Sequence, residues 1–325
     1  MTRWGWTLRA SAAAVIAAAA LAGCGAGGGG GEVQQNEAGL DEVSVGVIPI
    51  LDVAPIYLGQ EQGFFEDQEI ELELETGQGG AAIVPGVESG QFQFGFSNNT
   101  SLLLAKEQGL DVQIVAAGNS SNGEVGSDFG AVVVPKGSDI KEPADLAGAR
   151  VAVNTLNNIG STTINKVVRD DGGDPTAIDY VELGFPDMPA AVAQGQVDAA
   201  WVVEPFVSIA TGQGATPIMS NFAETDPELM VASYFTSGAT AEANPELVER
   251  FTTAMNESLE YAEENPNEVR RIVQSYTELD AATAEQVALP AWPTEINTDS
   301  LDLLADLAVE DGAMEEKPDI EAMLP

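Results

Sequence analysis

The stretch VSVGVIPILDVAPIYLGQEQGFFEDQEIELELETGQGG, residues 43–80, decides the fold. It opens on a short apolar strand, Val43 to Ile48. A helix follows from Pro55 to Gln62, with proline in its first turn, where no N–H is needed, and Gly63 as its stop. Glu69 to Glu75 alternates strictly, Ile70, Leu72 and Leu74 against four glutamates. That period of two describes a strand with one buried and one wet, acidic face. Beyond it the pattern predicts a helix over Gly80 to Glu88 and a strand over Gln93 to Phe96. A helix over Thr100 to Gln108 and a strand over Val112 to Ala116 follow. Strands alternating with helices build a mainly parallel sheet covered on both faces.

The pattern then restarts. Arg150 to Asn154, Ile178 to Glu182 and Val197 to Val203 read as strands, with helices over Ser161 to Asp171 and Met188 to Gln194. Ser89-Gly90-Gln91-Phe92 echoes Gln194-Gly195-Gln196-Val197, each a helix end, a turn and a strand. Two similar α/β lobes are therefore expected. The remainder is helical. Asn244-Pro245 and Asn265-Pro266 each place a capping Asn before a first-turn proline. Leu247, Phe251, Met255 and Leu259 form one apolar stripe at i+4 spacing, a core face.

The chain has 325 residues, 44% of them hydrophobic, enough for two domains with real cores. Acidic residues number 52 against 12 basic, a formal charge of −40. Such a surface repels phosphate backbones, so nucleic acid is not a partner. Histidine is absent, which removes Ser-His-Asp triads and imidazole metal sites. One cysteine, Cys24, allows neither an intrachain disulfide nor a thiolate zinc site. No metal and no cofactor is expected.

The N-terminus reads as an address. Arg3 and Arg9 precede an apolar run from Ala10 to Ala22, too short to span a bilayer and right for a signal peptide over residues 1–23. It ends in Leu21-Ala22-Gly23-Cys24, which resembles a bacterial lipobox with Cys24 as the acylated residue. Residues 24–42, glycine-rich and polar, read as a flexible tether. The only membrane contact expected is through that lipid.

A family resemblance rests on residues spread along the whole body. They are Val47-Ile48-Pro49, Ala54 to Leu58, Glu61 to Phe65, Gly77 to Ile83 and Gly90-Gln91-Phe92. Glu142 to Gly148, Asp187 to Ala191, Gly195 to Ala200 and Glu204-Pro205-Phe206 continue it. In order and spacing these resemble the periplasmic binding proteins of ABC importers for nitrate, alkanesulfonates, taurine and thiamine-related pyrimidines. The resemblance implies a type II two-lobed α/β fold with a two-strand hinge. Lobe one is expected over 43–128 plus 237–325 and lobe two over 129–236, crossing at Phe129 to Pro135 and Val231 to Thr236. It implies a monomer that carries a small organic solute to an ABC permease and ATPase, without catalysis. Two other readings stay open: a sensor or surface binding protein without a transporter, and a pyrimidine-synthase-like enzyme on the same fold.

Ligands of such sheets sit beyond the carboxyl ends of strands, near helix N-termini. In the first half that selects Asp52, Gly79, Gly80, Ser97, Asn98, Asn99 and Asn119. In the second it selects Asn154, Asn158, Ser161, Asp187, Trp201 and Glu204. The loops at these strand ends contain no Lys or Arg. An anion would be held by helix N-termini and neutral donors, whereas Asp52, Asp187 and Glu204 favour an amine or amidine-like ring. Several residues have a structural alternative. Asp52, Asn99 and Ser161 can cap the helices that follow them, and Trp201 can be core.

Overall fold

The computed structural model describes residues 33–324. The expected signal peptide, Cys24 and the first residues of the tether lie outside them. The first half runs β1 (Asp41–Val47), α1 (Ala54–Gln62), α2 (Phe64–Asp67), β2 (Ile70–Thr76), α3 (Gly80–Glu88), β3 (Phe94–Asn98), α4 (Asn99–Glu107) and β4 (Val112–Ser120). The second runs β5 (Gly130–Val134), β6 (Arg150–Val153), α5 (Ile159–Asp170), β7 (Asp179–Glu182), α6 (Met188–Ala193), β8 (Ala199–Val203), α7 (Phe206–Gly212), β9 (Thr216–Met219) and α8 (Asn221–Thr225). The chain closes with β10 (Met230–Ser237), α9 (Gly238–Ala243), α10 (Pro245–Glu264), α11 (Pro266–Tyr276), α12 (Ala281–Ala284) and α13 (Thr298–Glu310).

Two sheets result, ordered β2-β1-β3-β10-β4 and β7-β6-β8-β5-β9. The orders are the same once β1, β2 and β3 are matched to β6, β7 and β8. Gly90 and Gly195 stand at matching turns before β3 and β8, both at positive φ, so the short echo marks a duplicated unit. Each sheet is mixed rather than wholly parallel. β10 runs antiparallel to β3 and β4, and β5 antiparallel to β8 and β9. The reversed strand is where the chain enters or re-enters a lobe.

The alternation of β2 reads as it packs. Ile70 and Leu72 are buried while Glu71, Glu73 and Glu75 are exposed. β2 is an edge strand, where a row of charges discourages pairing with another chain. Gly63 ends α1 at φ 86, a left-handed position glycine adopts without strain. The stripe Leu247, Phe251, Met255 and Leu259 is buried, and Phe251 stacks on Phe94 with ring centroids 3.8 Å apart.

Three expectations need correction. The tether does not extend to residue 42. Asn36 Oδ1 accepts from the N–H of Ala38 and of Leu40, turning the chain so that Gln35 bridges Asp41 at the start of β1. Arg250 pairs with Asp41 and fixes this turn to α10. The second crossing is not Val231 to Thr236, because β10 is hydrogen-bonded throughout into the first sheet. The links between sheets are residues 121–129 and 220–229, and lobe two ends before Met230. Asn244 and Asn265 do not cap forward. Their amides donate back to Thr240 O and Tyr261 O, closing the preceding helix.

Candidate functional site

The strand ends of the two sheets face each other across a cleft. From lobe one come Ile48, Ile50 and Asp52 after β1, Phe96 and Asn98 of β3, and Val231 and Ala232 of β10. From lobe two come Asn154 after β6, Ile159 at the start of α5, Phe185, Trp201 and Val203 of β8, and Phe222 of α8. Together they enclose a cavity of about 30 Å³, room for one or two waters. A second space of about 50 Å³ shares Ile48, Ile50 and Phe185 with it and reaches Pro49, Pro186 and Phe206. These last open onto a groove of about 680 Å³ running past Tyr276 to Asp280. The three spaces thus lie side by side between the lobes, from the outer groove to the cavity that Asp52 lines.

Asp52 is buried, 3% exposed, and Asn119 is fully buried beneath it. Asn119 Nδ2 donates to Asp52 Oδ1 at 3.0 Å. The other carboxyl oxygen, Oδ2, has no partner, and neither does Asn119 Oδ1. Burial pushes the Asp52 carboxyl up to about 7 against the pull of its hydrogen bonds, and Asp128 adds to the rise. Asp52 does not cap α1, whose N-cap is Val53.

Trp201 forms a wall of the cavity as well as core. Its Nε1 donates to Asn221 Oδ1 at 3.0 Å, and its ring lies on the bare backbone of Gly160. Gly79 lies opposite lobe two, where a Cβ would stand 3.1 Å from Asn154 Nδ2. Asn98 caps α4 by accepting from Ser101 N, and Ile159 is the first residue of α5. Two helix N-termini therefore meet at the cavity, a partial positive charge in each case. The lining holds no Lys or Arg.

The remaining candidates serve the framework. Ser97 Oγ donates to Asn98 O and fills the space a Cβ on Gly80 would need. Asn99 is not a cap. Its amide donates to Met230 O and accepts from Ser233 Oγ, tying α4 to β10. Ser161 does not cap α5 either; Asn158 does, with Ser161 as its capping-box partner. Asn158 also bonds Ser101 Oγ of the opposite lobe at 3.0 Å. Asp187 is exposed at the start of α6 and does not line the cavity. Glu204 is buried and satisfied, by Ser208 N and Oγ and by Ala288 N at 3.2 Å. Its backbone oxygen accepts from Leu51 N of the opposite lobe, so it joins the lobes. Burial raises the Glu204 carboxyl.

Sequence reading missed the apolar walls Phe222 and Val231, because a hydrophobic residue inside a helix or strand looks like core. It also missed Asp128, whose carboxylate accepts from Ser121 Oγ and from the backbone N–H of Asn122, Phe129 and Ala223. These partners belong to both inter-sheet links, so Asp128 clamps the hinge. Only their spacing in sequence, Ser121 through Phe129, hinted at it.

Comparisons with known proteins agree with this architecture. The family described as NMT1/THI5 like matches residues 51–269. A Bacillus subtilis protein named for aliphatic sulfonate binding is 24% identical over 269 residues, covering 81% of this chain and 78% of the relative. The taurine-binding periplasmic protein of Escherichia coli is 28% identical over 172 residues, covering 47% of this chain and 51% of its own. Among solved structures, the alkanesulfonate-binding protein SsuA from Xanthomonas axonopodis pv. citri superposes with a TM-score of 0.74 at 17% identity, over 87% of this chain and 98% of that one. The fold is the two-lobed one of these periplasmic binding proteins.

Proposed function

Since the chain belongs to the NMT1/THI5-like family, we propose that it is an extracytoplasmic, lipid-anchored binding protein that delivers a small organic nitrogen- or sulfur-containing solute to an ABC importer. One observation carries this reading. A cavity lined from both lobes sits between two like sheets, with a further small space and an outer groove beside it along the seam. That geometry suits capture by closure, since lobes that shut on a small molecule bury nearly all of it and present a changed outer shape to a transporter. The names of the relatives, sulfonate- and taurine-binding, support the same role. Asp52 is the one ionisable side chain of the lining, with no second acid or base beside it in the cavity to exchange a proton.

The anchor rests on Leu21-Ala22-Gly23-Cys24. Native mass spectrometry of the purified protein tests the main reading. A retained small organic molecule, released unchanged, is the expected result, and steady chemical conversion of that molecule would contradict it. Cys24→Ser should move the protein from the membrane fraction to the medium once its signal peptide is removed; retention on the membrane without the signal peptide would refute the lipid anchor.

A further inference from the structure

Two buried acceptors have no donor, one on Asp52 in the cavity lining and one on Asn119, which is bonded to Asp52 but is not itself part of the lining. Asp52 Oδ2 and Asn119 Oδ1 are both unpartnered, and the 3.0 Å bond between the two side chains makes them one carboxyl–amide pair. A buried polar atom left unmet costs about 1–3 kcal/mol, and folded proteins seldom tolerate one without purpose. The surrounding groups supply no cation. The charge of Asp128, at the hinge, acts on Asp52, and Tyr234 of β10 and Tyr276 of α11 feel the charge of Asp52. Glu204 stands one hydrogen bond away through Leu51 N. Tyr276 Oη is spent on Ile50 O, and Trp292 Nε1 on the backbone oxygen of Asp52.

We propose that the solute enters with an ammonium or amidine-like N–H group leading, and that Asp52 Oδ2 binds that group while Asn119 holds the carboxyl in place by donating to its Oδ1. This rests on the reading of the cleft as the solute site and narrows it to a class. Above about pH 7 a sulfonate or nitrate, which has only acceptors, would leave Asp52 Oδ2 unmet and place its charge beside a carboxylate. An anionic end, where the solute has one, belongs at the other side of the cavity, on the N-termini of α4 and α5. A zwitterion fits both ends. An amine-free alkanesulfonate fits one.

The pH dependence has a definite sign. Burial holds the free Asp52 carboxyl protonated up to about 7. A ligand cation needs the carboxylate, so binding below that pH must release a proton. Affinity for an amine therefore weakens as pH falls and levels off above about 7, while an anion placed beside the same carboxyl gains as it protonates.

Calorimetry with matched probes tests this: taurine against ethanesulfonate, and 4-aminopyrimidine against pyrimidine. At about pH 8 the amino member of whichever pair binds should be at least tenfold tighter, a gap of about 1.4 kcal/mol. For taurine the lead should shrink at least tenfold at about pH 5.5, where its ammonium is still charged. Asp52→Asn should abolish the lead. Should that variant fail to fold, the pH series on the unaltered chain gives the same answer. Equal affinity within a pair, or a lead that is independent of pH and survives Asp52→Asn, overturns the proposal. Binding by the amine-free members alone also overturns it, yet leaves the solute-receptor reading standing. No binding by any of the four overturns both.

Discussion

Asp52 carries a cost that its position explains. In the unfolded chain its carboxyl loses its proton near the ordinary value of about 3.9; in the fold it keeps the proton up to about 7. Between those values the folded state holds a proton the unfolded state has released. Its contribution to stability therefore falls as pH rises from about 4 to 7, then stays level. The loss amounts to about 2–4 kcal/mol at neutral pH. Asp52→Asn removes the titration and keeps the shape. Its melting temperature should exceed the parent's at about pH 8, and that advantage should be larger than at about pH 4.5 by at least about 3 °C. Thermal unfolding at the two pH values checks this, and equal differences would show that Asp52 is not the group responsible. A protein that keeps such a group in its cleft gives up stability for recognition, a trade common at binding sites.

At the scale of elements, close approach sets the cleft wall. α5 lies on β8 so tightly that a Cβ on Gly160 would stand 2.5 Å from the Trp201 ring. The ring cannot retreat, since its Nε1 is bonded to Asn221, which in turn donates to Thr163 of α5. Gly160→Ala should destabilise by about 2 kcal/mol, overpacking outweighing the gain of about 1 kcal/mol in helix propensity. Gly212, in α7, offers a control. A Cβ there meets nothing, so Gly212→Ala should be neutral or stabilising by about 0.5 kcal/mol. Denaturant midpoints compare the two. A neutral Gly160→Ala would mean that α5 slides freely on the sheet.

Across the whole molecule, polar links between the lobes include Asn158 with Ser101, Glu204 with Leu51 and Ala288, and Asn165 and Arg169 of α5 with Glu310 and Asp311 at the end of α13. The pair with the exposed Glu310 contributes little, while Asp311 is largely buried and takes both Arg169 and Asn165. Asp128 holds the two inter-sheet links together at their pivot. Such a design lets the lobes part about the hinge at modest cost. They must part, because the cavity of about 30 Å³ is too small for an organic solute to pass or to settle without rearrangement. Small-angle scattering should therefore record a smaller radius of gyration with saturating solute than without it. An unchanged radius would argue that the solute occupies the outer groove near Tyr276 instead.

The alternation of Glu69 to Glu75, the proline and glycine that bound α1, and the paired Gly90 and Gly195 turns were enough to establish strands, helices and a repeated α/β unit. Each is a local signal, set by side-chain period or by the φ a residue permits. The absence of cations from the strand-end loops was equally legible, since composition needs no coordinates. Which polar residues reach the cleft was not. Asn98 and Asn99 are neighbours, yet one caps α4 at the cavity and the other is buried against β10. Asp52 and Glu204 are both buried carboxyls beside a strand end, yet Glu204 finds three donors and Asp52 leaves an oxygen free. Asn98 and Glu204 have partners close in sequence, Ser101 and Ser208, but Asn99 pairs with Met230, Asp52 with Asn119 and Glu204 also with Ala288, each 67 or more residues away. Local pattern fixes which way an element runs and which face is apolar. Only the packing of distant segments decides which buried polar atom is satisfied and which is left for a ligand.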